Sequence, residues 1–219
     1  CGGGFGSKLD VSFQPYVALA AWLLGRSARI CYSRSESMRA STKRHPSDIR
    51  LTVGCDETGR ISGFVFDGTF NTGAYASWGP TVANRVPIHA SGPYATKDYR
   101  ANSIAVHTNA PPAGAFRGFG VPQSAVAQEC AFDLLAEKLG MDRLAFRRLN
   151  ALKNGIPTVT GQVFNSGVGI DDCFAALEDS WHTAVASAAS FNQTAISDDS
   201  PWRRGVGIAS CWYGCGNTS

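Results

Sequence analysis

Apolar and polar positions alternate in two rhythms along the chain, one helical and one strand-like. Val17, Leu19, Ala20, Trp22, Leu23 and Leu24 form an apolar surface with Pro15 early and Gly25 just behind, predicting a helix capped by Asp10 and stopped by the glycine. The apolar run 16–24 is about half of a membrane span, so it reads as a buried helix. Residues 28–33 read as a short strand, and 35–38 as one or two helical turns. Ile49, Leu51, Val53 and Cys55 then alternate with polar residues, 56–60 carry turn chemistry, and 61–70 return with Phe64, Phe66 and Phe70 on one face. That pattern predicts a β-hairpin.

Residues 71–101 are rich in Gly, Pro, Ser and aromatics without a clear period, which marks a functional or partly helical loop. Residues 103–108 read as another strand. Pro122 begins a helix whose stripe is Ala125, Val126, Cys130, Ala131, Leu134 and Leu135, ending at Gly140. Two more helices follow at 141–152 and 171–189, then a polar connection over 190–200 and a strand over 204–212 that opens a new unit. The expected fold class is α+β, mixed sheets with packed helices. The expected organisation is a first lobe over 1–190, a linker over 191–203 and the start of a second lobe over 204–219, both lobes incomplete.

Composition narrows the function classes. A hydrophobic fraction of 44% with 17% charged residues describes a globular interior and excludes a disordered chain. A net charge of +3 with no run of five like charges argues against a nucleic-acid face, and no span or signal peptide argues for a membrane. Seven cysteines at irregular spacings, without a CxxC pair, read as buried, reduced thiols of a cytoplasmic protein. Cys211 and Cys215 lack iron–sulfur spacing. His45, His89, His107 and His182 are too dispersed for zinc, and His45 before Pro46 reads as structural. Glu36 reads as a structural ion-pair partner.

Many of the 24 glycines cluster, and two clusters precede helices: Gly2-Gly3-Gly4-Phe5-Gly6 and Gly118-Phe119-Gly120. Backbone N–H groups at a helix start suit anions, although on the glycine pattern alone a plain turn is the commoner explanation. The second cluster sets Arg117 between Phe116 and Phe119. Two ring faces and a cation suit a pocket for a flat aromatic molecule; the alternative is a Phe pair anchoring the loop to the core.

Several segments together resemble a family. Gly2-Gly3-Gly4-Phe5-Gly6, Arg34-x-Glu36-x-Met38, Thr42-Lys43-Arg44-His45-Pro46 and Ala115-Phe116-Arg117-Gly118-Phe119-Gly120-x-Pro122-Gln123 occur in order, followed by Arg147-Arg148-x-Asn150 and Trp202-x-Arg204-Gly205. They resemble the molybdenum subunits of the xanthine dehydrogenase/aldehyde oxidase family. The resemblance implies the front part of a molybdenum hydroxylase oxidising an aromatic N-heterocycle or an aldehyde, with water as oxygen source. It implies molybdopterin, in the cytosine dinucleotide form, bound by Gly4, Phe5, Gly6, Ala115, Phe116 and Arg117, with Phe5 and the Arg117 backbone beside molybdenum. It places Leu9, Arg85, Phe119 and Thr218 at the substrate, Phe119 stacking on a planar ring and Arg85 holding charge on it.

Purine-oxidising members place a glutamate in the register of Leu9, so the resemblance points away from xanthine. The family's general base, a glutamate in a Gly-x-Gly-Glu segment, has no counterpart in this sequence, and no catalytic residue is assigned. Iron–sulfur and FAD units, and the remaining half of the molybdopterin subunit, are expected on partner domains or chains. The alternatives are a non-catalytic truncated fragment and one half of a split subunit.

Overall fold

The computed structural model describes residues 3–214. Nine elements follow in order: α1 (Gln14–Leu24), α2 (Arg34–Ala40), β1 (Ser47–Cys55), β2 (Ile61–Gly73), α3 (Gly79–His89), β3 (Asp98–His107), α4 (Val121–Leu139), α5 (Arg143–Asn150) and α6 (Ile170–Ser197). The strands form one mixed sheet ordered β1-β2-β3. β1 and β2 pair antiparallel through the Asp56 turn, where one carboxylate oxygen accepts from Thr58 N, Thr58 Oγ1 and Arg60 N. β2 and β3 pair parallel, which requires a crossover, and α3 supplies it. The irregular stretch 71–101 therefore holds a helix.

Phe64, Phe66 and Phe70 are fully buried on one face of β2, as their period-two spacing predicts. Gly68 completes that row. A Cβ there would lie 2.8 Å from both the Phe66 and Phe70 rings, so only glycine lets them close over it. Val86 and Ala90, Phe132 and Ala136, Phe146, Phe174 and Trp181 close the core from the helical side. Burial of such aromatics contributes roughly 1.5–3 kcal/mol each.

α4 departs from its predicted stripe. Its buried face carries Val121, Ser124, Gln128, Glu129, Phe132 and Ala136, while Val126 and Leu134 are exposed. A polar inward face is stable here because its polar groups are paired. Glu129 accepts from Tyr94 Oη at 2.8 Å and from Arg147 Nε at 2.7 Å, and Arg147 also meets Asp133 at 2.8 Å. Arg147 is wholly buried in this cluster. Burial, aided by the Glu129 charge, pushes the Tyr94 phenol well above its ordinary value.

Other expectations need correction. α1 starts at Gln14 with Phe13 at its cap position, and Asp10 instead accepts from Ser77 Oγ at 2.7 Å. No α1 residue is buried, and Trp22 is 79% exposed, because none of the other described elements packs on its apolar surface. Residues 28–33 form no strand, since no neighbouring segment offers them a ladder. Glu36 forms a capping box rather than an ion pair: it accepts from Ser33 N at 2.8 Å while Ser33 Oγ accepts from Glu36 N at 3.3 Å. The described cysteines are free, but Cys31, Cys130, Cys173 and Cys211 are exposed rather than buried.

α5 is shorter than expected, beginning after Asp142, whose carboxylate caps Leu144 N and Ala145 N at 2.9 Å. α6 continues to Ser197, with Ala195 buried against the domain, and so extends into the region read as a connection. Residues 204–212, read as a strand, carry no regular secondary structure and belong to no ladder among the described residues. Among the described residues, no helix is long and apolar enough to cross a membrane.

Candidate functional site

Two glycine loops far apart in sequence meet backbone to backbone. Gly6 sits at φ +90°, and a Cβ there would come within 3.0 Å of Ala115 C and 3.1 Å of Phe116 N. Only a residue without Cβ fits both the angle and the approach. Segment 42–44 bridges the two loops. Thr42 Oγ1 donates to Ser7 O at 3.2 Å on one side, and on the other the Arg44 guanidinium donates to Arg117 O and lies 4.7 Å over the Phe116 ring. Arg44 also reaches Gln123 Oε1 at 3.2 Å, and Gln123 Nε2 donates to His45 O. His45 is buried beside this bridge. Burial, aided by the Arg44 charge, lowers its value to about 4, so it is neutral at pH 7.

The backbone here is held in uncommon conformations. Phe5, Ser77 and Phe119 are non-glycine residues with φ of 55°, 43° and 47°. Each costs on the order of 1–3 kcal/mol that the surroundings must offset. Ser77 is fixed by its bond to Asp10, and Phe119 by an edge contact with Trp78 at 6.3 Å.

The loops border an open cavity of about 320 Å³ lined by Phe5, Gly6, Leu9, residues 115–119 and Tyr213. Larger hollows occur elsewhere, one near Arg60 and Thr158, but none joins both glycine loops. Most of the sequence-predicted site residues thus gather in one place, with Gly4 adjoining them. Arg85 is buried one layer back: it donates to Gly214 O at 3.3 Å and its guanidinium lies 4.7 Å over the Tyr213 ring. Thr218 lies outside the described residues.

Tyr213 and the bridge residues Thr42 and Arg44 carry no site role in the sequence reading. Tyr213 comes from a distant segment, and only its aromatic company in Trp212-Tyr213-Gly214 hinted at a wall. Arg44 stood in a quoted motif whose geometry spacing cannot give.

Chemically, the cavity offers amides, rings and cations. Among the described residues, the N–H groups of Ala115, Phe116, Arg117 and Gly118 donate to no carbonyl or side chain. Arg44 and Arg117 stand beside them, and Lys8 lies 5.7 Å over the Phe5 ring. Consecutive free amides with cations favour an oxygen-rich anionic group, and Phe119 and Tyr213 favour a flat one beside it.

An α+β domain with two apposed glycine loops around an anion-receptive, aromatic-walled cavity is the class that fold and site define. Residues 1–151 match the molybdopterin cofactor-binding domain, and the chain belongs to that family. It is 43% identical over 169 residues to the nicotinate dehydrogenase large molybdopterin subunit of Eubacterium barkeri, covering 77% of this chain and 40% of that one. It is 34% identical to the xanthine dehydrogenase molybdenum-binding subunit of Escherichia coli O157:H7, covering 97% and 28%. The aldehyde oxidoreductase structure from Desulfovibrio gigas superposes with a TM-score of 0.81 at 31% identity, over 86% of this chain and 21% of that one. The chain therefore spans well under half the length of these relatives.

Proposed function

We propose that this chain holds the molybdenum end of molybdopterin between its two glycine loops and forms one wall of the substrate pocket of a molybdenum hydroxylase. The observation that carries this reading is the row of residues 115–118, whose amides donate to none of the described groups and which line the same cavity as Gly6. The fit is chemical as well as spatial, since the cofactor is anionic and oxygen-rich. Gly4, Phe5, Gly6, Ala115, Phe116 and Arg117 hold it, with Phe5 and the Arg117 backbone nearest the metal. When bound, it supplies two-electron oxidation with water as oxygen source.

The chain's own residues bind and orient the substrate. Phe119 and Tyr213 offer faces to a planar ring, and Leu9 an apolar edge that would leave a purine's polar rim unpaired. Arg85 holds its charge behind Tyr213, toward density developing on a heterocycle. An aromatic N-heterocycle is favoured over xanthine. The nicotinate named for the Eubacterium barkeri relative supports the heterocycle, and the aldehyde named for the D. gigas relative supports an aldehyde as the other candidate.

None of the carboxylates at the cavity is placed as a base, since Asp10 is engaged by Ser77. The general base comes from polypeptide outside this sequence. Two of the relatives are named as subunits, which supports separate iron–sulfur and FAD chains as electron partners. The cytosine dinucleotide form rests on the family resemblance, and a cytoplasmic setting on the unpaired thiols.

Molybdenum and pterin analysis of the purified chain tests the reading. Molybdenum and pterin near one per chain, with cytidine monophosphate released on acid hydrolysis, are the expected results. A folded chain with neither metal nor pterin after expression in a cofactor-producing host overturns it.

A further inference from the structure

Segment 205–214 forms an extended strap across the domain. Val206, Ile208, Ser210, Trp212 and Gly214 are half-buried, while Gly205, Gly207, Ala209, Cys211 and Tyr213 face outward. Strand-like alternation without a ladder means that its place is set by packing and side-chain bonds. Ser210 Oγ donates to Tyr94 Oη at 2.7 Å, Trp212 Nε1 donates to His89 O at 3.3 Å, and Gly214 N donates to His89 Nε2 at 3.1 Å. The His89 ring also lies 5.7 Å from the Tyr213 ring, nearly parallel to it. Two of these attachments converge on His89, at the strap's cavity end.

The geometry fixes the tautomer. A backbone amide can only donate, so Nε2 facing Gly214 N must be unprotonated. The ring proton is then on Nδ1, which lies 3.1 Å from Arg85 O and donates to it. We propose that His89 is a positioning residue: in its neutral Nδ1–H form it clasps the strap at Gly214 and so holds Tyr213 against the pocket. The consequence for the pocket rests on the reading given above, whereas the clasp does not.

A second proton would go to Nε2 and set an N–H against an N–H. Among the described residues, the titratable and charged groups set against His89 are Arg85 on its own helix and Tyr213 on the strap. Burial and the Arg85 charge lower its value, and the bond to Arg85 O opposes them only in part. The clasp is therefore closed at pH 7 and opens as the pH falls below the ordinary histidine range.

Nitrogen NMR of the full chain, with amide exchange at Gly214 corrected for intrinsic rate, tests this. Wild type should show the Nδ1–H tautomer, and protection of the Gly214 amide that declines on acidification. His89→Phe keeps a ring against Tyr213 but removes the acceptor, so Gly214 exchange at pH 7 should rise about five- to tenfold, the worth of one hydrogen bond. His89→Gln reaches the same position with an amide oxygen, and should restore protection while abolishing its pH dependence. An Nε2–H tautomer in the wild type, or unchanged exchange in His89→Phe, overturns the proposal. So does a His89→Gln chain no better protected than His89→Phe. Should the cofactor reading alone be wrong, the wild type would lack pterin with this clasp intact.

Discussion

Gly6→Ala is the sharpest single perturbation of the site. An alanine at φ +90° carries strain of about 1–2 kcal/mol for the left-handed region. Its Cβ would press on Ala115 C, Phe116 N and Ala115 O at 3.0–3.2 Å, all backbone atoms that no rotamer change can clear. Overpacking of that kind costs roughly 1–3 kcal/mol, so the apposed arrangement of the loops is disfavoured by about 2–5 kcal/mol in all. Each 1.4 kcal/mol is a factor of ten, which weakens cofactor retention roughly thirtyfold to a few thousandfold. Gly155→Ala is the matched control, since it carries the same kind of φ strain (+82°) away from the site and a Cβ there meets nothing within 4 Å. The assay is pterin fluorescence and molybdenum per chain after dialysis, with circular dichroism to confirm that both variants fold. Equal retention by Gly6→Ala and Gly155→Ala would refute the argument, because the loop contact would then contribute nothing to the site.

Arg147→Met removes the cation from the Glu129 and Asp133 carboxylates, leaving buried charge uncompensated. A loss of about 3–5 kcal/mol in urea-unfolding stability is expected. Asn150→Ala orphans the Ile61 amide and the Gly59 carbonyl, both bonded at 2.9 Å, and should cost about 2–4 kcal/mol by the same measurement. His45 is held neutral to about pH 4, whereas the unfolded chain takes up its proton near 6.5. Its contribution is thus fully present above 6.5 and lost as the pH falls toward 4. Urea midpoints across that window should drop more steeply for wild type than for His45→Gln, by about 1.4 kcal/mol per pH unit. Leu9→Glu should shift substrate preference of the holoenzyme toward rings bearing a donor at that edge, read as a ratio of kcat/KM values for a purine and a pyridine carboxylate.

Local periodicity carried some of this fold and not the rest. The β1–β2 hairpin was readable because alternation and the Asp56 turn act within a few residues. The inward face of α4 was not, since Ser124, Gln128 and Glu129 become buried only when Tyr94 and Arg147 arrive to pair with Glu129 and its neighbours. The α1 surface and the exposed cysteines failed for the converse reason: apolar character states a preference for burial, not the presence of something to bury against. The parallel pairing of β3 with β2 depends on a crossover that no strand pattern encodes. In the site, the two glycine loops announced themselves by composition. Tyr213 did not, because its place depends on a strap fastened through His89 and Tyr94.

The bridge at 42–44 also bears on the order in which the molecule assembles. Pro46 O accepts from Asn71 N, so the bridge prolongs the hairpin past the end of its ladder. From there one contact reaches back across 35 residues to Ser7 and another forward across 73 to Arg117. Neither glycine loop has to find the other by chance diffusion of the intervening chain. Each docks on a template that forms early and locally, and closure entropy is divided into two modest steps, each doubling of length adding only about 0.6 kcal/mol. A hairpin that holds no residue of the cavity thereby dictates when the cavity comes into being.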